Sequence, residues 1–465
     1  MVDKALDEPL AREFELDRPG RAQDVLRADK EPPEPTLLDS PEYVLGTESI
    51  DARRYYSTEW HNLEVSKVWS RTWQFAAWSY DIPHPGDIAV YRNVGQSVLV
   101  IRQRDGSVRA FHNSCRHRGR ELCTEALQSQ PELRCPFHGF TWRLDGALKW
   151  IPSAWDFPQI DSAEFGLPEV RCEQWNGFVF INFDSQAPSL VSYMGKMFAQ
   201  FAESPSWDFS NRYMAVNAVK HMNLNWKTCM EGFIESFHVT CSHPQLLPMS
   251  ADTITQYDVW PDEPHFNRMI TPIGVASTNL SPAPSDAELV ETFVLTYLPE
   301  LAGTPEGIQA PGESAREALH RLTRDVLGAR MRVKLENKPP SWLLDSVEYF
   351  LFPNFMIWPT FGAPLVYRFR PGDTPEKCIW ETMVFLPFEG ERPPSGPTIV
   401  QTPGESLADI PELGFLGPVL QQDVENLESL QRGLRASLSQ KVTLSNYQEV
   451  RIRHFHQTLQ EYVDH

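Results

Sequence analysis

The sequence predicts an α+β protein: an antiparallel β domain first, then a larger domain of mixed helices and strands. Three observations carry this. The segments DIAVYRNV, QSVLVIRQRDG and SVRAFHNSC (87–115) alternate with period two and are broken by Gly, Asn and Asp turns, the mark of short antiparallel strands. Helical spacing dominates elsewhere, around Ala315–Leu335 and in the stripe Val424, Leu427, Leu430, Leu434. Apolar strands then return at VEYFLFPNFMIW, PLVYRFRP and CIWETMVFLPF. With 465 residues the chain has room for two domains. We divide it into an N-terminal arm (1–45), a β domain with a preceding helical segment (46–184) and a second domain (185–465).

In order, residues 1–45 are acidic, contain EPPEP at 31–35 and lack a sustained hydrophobic period, which predicts an extended, partly disordered arm. Two readings stay open: a dispensable tail, or an arm wrapping a neighbouring subunit. From Asp51 the chain takes helical character, with Tyr56, Trp60, Leu63, Val68 and Trp69 near one face, until PHPG at 83–86. The strands follow, and QWNGFVFINFD (174–184) reads as a closing pair around Asn176-Gly177. A helical stretch, SYMGKMFAQF, leads into the second domain. Residues 245–345 are rich in Pro, Ser and acidic residues, a proline-rich loop covers 389–404, and a helix at about 420–434 precedes an amphipathic tail.

Composition removes several function classes. Lys and Arg number 42 against 62 Asp and Glu, a net charge of −20 with no basic stripe, which argues against nucleic acid and anionic membrane as partners. The N-terminus lacks a basic segment followed by an apolar one, and no run approaches the ~20 apolar residues of a membrane span, so a cytoplasmic protein is expected. Seven Cys, an odd count, fit a reducing compartment.

The strongest chemical signal is C-x-H followed by C-x2-H. Cys115 and His117 are separated by 17 residues from Cys135 and His138. This is the spacing of a Rieske [2Fe–2S] centre, in which two cysteines hold one iron and two histidines the other. By composition the pattern should arise in about one such chain in ten thousand. Structural zinc is the competing use of two Cys and two His. Pro136 inside the second pair and the aromatic residues Phe137, Phe140 and Trp142 favour a shielded redox centre instead. Cys123 is extra to the pattern and reads as a small buried filler.

A second constellation lies within Asn225–Pro244. On a helix Glu231, Glu235 and His238 would share one face. His243 falls about 140° away on that wheel and cannot join them unless the helix stops first. Pro244 provides the stop, pushing His243 out of the α region so that it can turn back. Two imidazoles and a carboxylate from elsewhere would make the 2-His-1-carboxylate site of non-haem Fe(II) oxygenases. Alone, E-x2-H-x4-H is weak, arising in roughly one chain in twenty. For the third ligand Asp423 is a candidate, although a carboxylate in a helix's first turn has an ordinary explanation as a dipole partner.

Together CRHRG, CPFHGFTW, NWK (225–227), E-x2-H-x4-HP, FPN (352–354) and QRGL (431–434) resemble the catalytic α subunit of the Rieske non-haem iron oxygenases, the aromatic-ring-hydroxylating family. The resemblance covers nearly the whole chain after about residue 45. It implies a Rieske β domain ahead of a helix-grip (Bet v 1/START-like) catalytic domain, with Asp423 as the third iron ligand beside His238 and His243. It also implies that Glu235 bridges His138 of one protomer to His238 of the next, which requires a closed ring, a homotrimer. Many members carry Asp at this position; the Glu here is known among quaternary-amine members. A small β subunit would be a further partner.

The expected function is that of a terminal oxygenase. It would use O2 and electrons from NAD(P)H, delivered by a ferredoxin or flavin reductase, to hydroxylate or dihydroxylate an aromatic or other apolar ring, as in aromatic hydrocarbon catabolism. The alternative within the family is monooxygenation or demethylation of an amine or alkyl substrate, for which the 14 Trp could furnish an aromatic cage. A non-catalytic electron carrier with a ligand-binding domain is a third reading. Glu231 reads as an orienting or a merely paired carboxylate, and Val239, Leu247 and Phe415 as candidate pocket walls.

Overall fold

The computed structural model describes residues 19–41 and 43–465; the first part of the arm, residues 1–18, lies outside them. Two sheets, antiparallel in all but one pairing, organise the chain. The first has six strands in the order Gln74–Trp78, Phe178–Asn182, Glu169–Trp175, Val108–His112, Gln96–Arg102, Ile88–Asn93. Its hairpin at Asn176-Gly177 uses the left-handed backbone this dipeptide favours, with φ of 53° and 86°. No other residue fits at 177, because a Cβ there would lie 2.4 Å from the Trp78 ring. A small three-stranded sheet, Leu133–Arg134, Thr141–Trp142 and Leu148–Trp150, projects from this domain.

The second sheet has eight strands, in the order Gln256–Asp258, Phe266–Thr271, Ser346–Leu351, Phe355–Ile357, Leu365–Pro371, Cys378–Pro387, Arg212–Met222, Thr398–Gln401. All pairs are antiparallel except the last. Against it pack the helices Leu416–Ala436 and Val450–Asp464, giving the helix-grip arrangement. The two domains share an aromatic core: Phe75 and Phe178 meet Phe355 at 5.3 and 5.1 Å, and Trp78 meets Phe385 at 4.9 Å. Each such buried ring contributes about 1.5–3 kcal/mol by burial. Arg368, paired with Glu381, donates across the joint to the carbonyls of Phe75 and Ala76.

The long helical segment expected from Asp51 is shorter than its pattern suggests. Only Thr58–Leu63 is α-helical; a π-turn follows at Glu64–Val68, and Gln74–Trp78 is a strand of the first sheet. The π-turn has a use: it aims Glu64 inward, where its carboxylate accepts from Trp226 Nε1 at 2.9 Å and pairs with Lys227, all three buried. The described part of the arm packs on its own chain. Leu26 and Leu37 are buried, Asp29 pairs with Arg316, and the carbonyls of Thr36 and Asp39 accept from Arg268.

Candidate metal centres

Cys115 and His117 lie on one loop of the first domain, Cys135 and His138 on another, and the loops are built alike. In each, the backbone N–H four residues after the cysteine donates to the cysteine carbonyl (Gly119 and Gly139), and the cysteine N–H donates to the carbonyl five residues on (Arg120 and Phe140). Gly119 and Gly139 both take positive φ, 77° and 80°, which closes these turns. The result places two buried cysteines beside each other and the two imidazoles 4.7 Å apart, centroid to centroid. Burial pushes the Cys115 thiol up, and the neighbouring Cys135 adds to it. His117 stacks on Phe140 and keeps a buried Nδ1 with no hydrogen-bond partner. Two neighbouring buried thiols, two adjacent imidazoles and a buried nitrogen without a partner fit the Cys2His2 donor set of a Rieske [2Fe–2S] cluster. Cys123 is buried and takes no part; Asn113 holds its backbone at both ends.

The second constellation is not one continuous helix. The helix Trp226–Glu231 stops at Glu231, and only Val239–Ser242 is helical afterwards. The helix ends where it crosses Leu416–Ala436, at Gly232, whose lack of a side chain admits Leu427: a Cβ there would lie 2.9 Å from it. Glu231 and Glu235 therefore do not share a helical face. Glu231 accepts from Tyr55 Oη at 2.9 Å and contacts His456 Nε2 at 2.8 Å, away from the ligand set. His243 lies just past the second helix, at φ −128° and ψ 56°, ahead of Pro244.

His238, His243 and Asp423 come together, their donor atoms all within 4.8 Å of one another. Asp423 Oδ1 lies 2.9 Å from His243 Nε2 and 3.6 Å from His238 Nε2. Two imidazoles and one carboxylate within reach of a single ion fit a facial iron site, a donor set that leaves positions open. Asp423 is not a first-turn charge. Its helix begins at Leu416, so it projects inward from the middle, buried with Leu420, Val424 and Leu427. Leu430, expected on the stripe, is 52% exposed, and Gln431 takes the inner place. Its Oε1 accepts from Asn225 N–H and Thr228 Oγ1, and its Nε2 donates to the Tyr55 carbonyl. This clamp ties the NWK segment to the helix bearing Asp423.

His238 Nδ1 contacts Glu235 Oε1 at 2.7 Å, and its backbone N–H donates to Glu235 Oε2 at 2.9 Å. Burial pushes the His238 imidazolium down, but Glu235 and Asp423 outweigh it and lift it to about 9. Beside Asp423 stands a wall of buried rings. Phe233, Tyr367, Phe369 and Trp380 are in mutual contact at 4.6–6.4 Å, with Trp358 on Tyr367 at 4.8 Å. Tyr367 is raised by burial and by the charge of Asp423. These rings carried no motif; only their apolar strand pattern was visible in the sequence. Of the expected walls, Val239 is half-buried and follows His238, Leu247 is buried, and Phe415 is 40% exposed and packs on Tyr297.

A Rieske-type cluster site in a β domain, joined to a facial iron site in a helix-grip domain, defines a two-centre iron oxygenase. Comparison with known proteins agrees. The family model for the ring hydroxylating alpha subunit (catalytic domain) matches residues 209–465, and that for the Rieske [2Fe-2S] domain matches 72–161. The chain belongs to the ring-hydroxylating oxygenase α-subunit family, as a Rieske terminal oxygenase carrying a [2Fe–2S] cluster and mononuclear iron.

Among relatives, the glycine betaine monooxygenase oxygenase subunit of Pseudomonas aeruginosa is 26% identical over 301 residues, 64% of this chain and 67% of that one. The chlorobenzene dioxygenase subunit alpha of a Cupriavidus species is 31% identical over 199 residues, 42% and 44% of the two chains. Among solved structures, a quaternary ammonium Rieske monooxygenase studied for carnitine oxidation and inter-subunit electron transfer superposes with a TM-score of 0.63 at 17% identity. The match covers 94% of this chain and 100% of that one, and it shows the fold. No helix among the described residues is long and apolar enough to cross a membrane.

Proposed function

We propose that this oxygenase monooxygenates an alkyl carbon attached to an amine, releasing the alkyl group as an aldehyde, in preference to dihydroxylating an aromatic ring. The observation that carries this reading is the cluster of buried rings Phe233, Trp358, Tyr367, Phe369 and Trp380 beside Asp423, an aromatic environment of the kind that suits an ammonium group. The similarity to a glycine betaine monooxygenase supports it, as does Glu in place of Asp at 235. Of the buried cations, Arg268, Arg316, Arg451 and Lys227 are each paired with a carboxylate, and Arg212, Lys220 and Arg453 donate to backbone carbonyls, which leaves them committed within the fold. The favoured substrate is thus an amine whose polar end is its ammonium.

When bound, the two iron groups supply electrons one at a time and O2 chemistry at an open coordination position. The chain's own residues set the stage. His238, His243 and Asp423 would hold the mononuclear iron, and Cys115, His117, Cys135 and His138 the cluster. The aromatic wall excludes water and orients the alkyl carbon. Glu235 holds His238 and, in a head-to-tail ring of three copies, would meet His138 of the neighbour. Two features support this assembly. His138 and Phe137 are exposed, as is Phe237 next to His238. Residues 102–149 carry nine Lys and Arg against five Asp and Glu, although the chain as a whole is at −20.

The test is reconstitution with a ferredoxin and an NAD(P)H reductase, followed by O2 uptake, aldehyde release and product mass on a panel of tertiary and quaternary amines and arenes. Aldehyde or +16 products from amines are expected. Turnover of arenes alone to +32 products would overturn the amine reading. Light scattering should give three times 53.2 kDa. Glu235→Gln should leave cluster reduction by the donor intact and slow product formation at least tenfold. An unchanged rate would remove Glu235 from the electron path.

A further inference from the structure

The two iron histidines are held from behind by different chemistry. His238 Nδ1 faces the carboxylate of Glu235. His243 Nδ1 faces the side-chain amide of Gln422, with Oε1 at 2.8 Å, and Gln422 is the residue next to the ligand Asp423. The same Oε1 accepts from Gln245 Nε2, also at 2.8 Å. With Gln245 Nε2 as donor, the Gln422 amide presents its oxygen to His243 Nδ1. In this arrangement Gln245 supports the Gln422 amide, and Gln422 requires a proton on His243 Nδ1. The free lone pair is then on Nε2, 2.9 Å from Asp423 Oδ1 on the metal side.

We infer that Gln422, supported by Gln245, is a positioning residue for the mononuclear iron. It fixes the His243 tautomer and keeps that histidine behind a neutral partner, while His238 has an anionic one. The inference rests on the iron site assigned above but not on the substrate. A hydrogen bond from the far nitrogen orients a metal-bound imidazole and raises its basicity, the more so when the acceptor is charged. The asymmetry therefore makes His238 the stronger donor and His243 the weaker.

The experiment uses full-length protein with its cluster intact, stripped of mononuclear iron and titrated anaerobically with Fe(II). Gln422→Leu should bind Fe(II) about 10- to 100-fold more weakly. Gln245→Leu should weaken it less, by freeing the amide. Gln422→Glu should restore Fe(II) affinity to at least the original level and shift the Fe(III)/Fe(II) potential to lower values, a change that mere packing would not produce. Cluster absorbance and the melting temperature report folding. If Gln422→Leu fails to fold, Gln245→Leu and Gln422→Glu carry the test. Unchanged Fe(II) affinity in the folded leucine variants, or an unshifted potential in Gln422→Glu, would overturn the inference.

Discussion

The two metal regions are built on opposite plans. The cluster loops close on themselves, each through the same pair of backbone hydrogen bonds, and all four ligands fall within Cys115–His138. The iron site has no such local frame. It takes His238 and His243 from either end of one short helix and Asp423 from the middle of another, joined by the Gln431 clamp. The first depends on turn chemistry and the second on the packing of the whole domain. Damage to one should leave the other standing.

The largest expected effect is a clean split of the two centres. Asp423→Ala should lose the mononuclear iron and all product while keeping the reddish cluster spectrum. Cys135→Ser should lose the colour and keep Fe(II) binding at the far site. Iron analysis and visible spectroscopy check both, and loss of both centres from either change would break the contrast.

The joint between the regions comes next. Burial works against the Glu381 carboxylate, but Arg368 and Arg370 hold it down at about 2. A lowered carboxylate stabilises the fold above its ordinary value of 4.5, and that contribution is lost as pH falls from 4.5 towards 2. It amounts to about 3 kcal/mol. Urea unfolding of Glu381→Gln should therefore show a flatter acid limb over this window. An unaltered limb would mean that the pair does not stabilise the fold.

Smaller again is Gln431→Leu, which leaves the Asn225 N–H without its acceptor and should cost about 2 kcal/mol. The loss should register in Fe(II) affinity and leave the cluster spectrum unchanged, because the clamp serves only the second site.

This difference in construction also decides what could be read from the sequence. Cys115, His117, Cys135 and His138 stood out because a self-contained loop writes its ligands close together. The hairpin at Asn176-Gly177 was legible for the same reason, a local φ requirement. His243 beyond its helix could be read from Pro244. Asp423 could be picked out at the head of an apolar helical stripe, but only the resemblance made it a ligand, since nothing in spacing ties it to residues some 180 positions earlier. The break after Glu231 carried no proline or other local stop, and the close approach of Leu427 at Gly232 is a tertiary contact. Gln422 lacked any signal, since an amide beside a carboxylate in QQD looks like helix surface.

The order of the ligands along the chain also has a consequence in time. During synthesis at about 5–20 residues per second, the cluster loops are complete roughly 15–60 s before Asp423 is joined to the chain. The electron-carrying half can be folded while the oxygen-handling half is still being made. Reactive iron has no complete seat in the unfinished polypeptide, and the last ligand to arrive, Asp423, is the one that closes it.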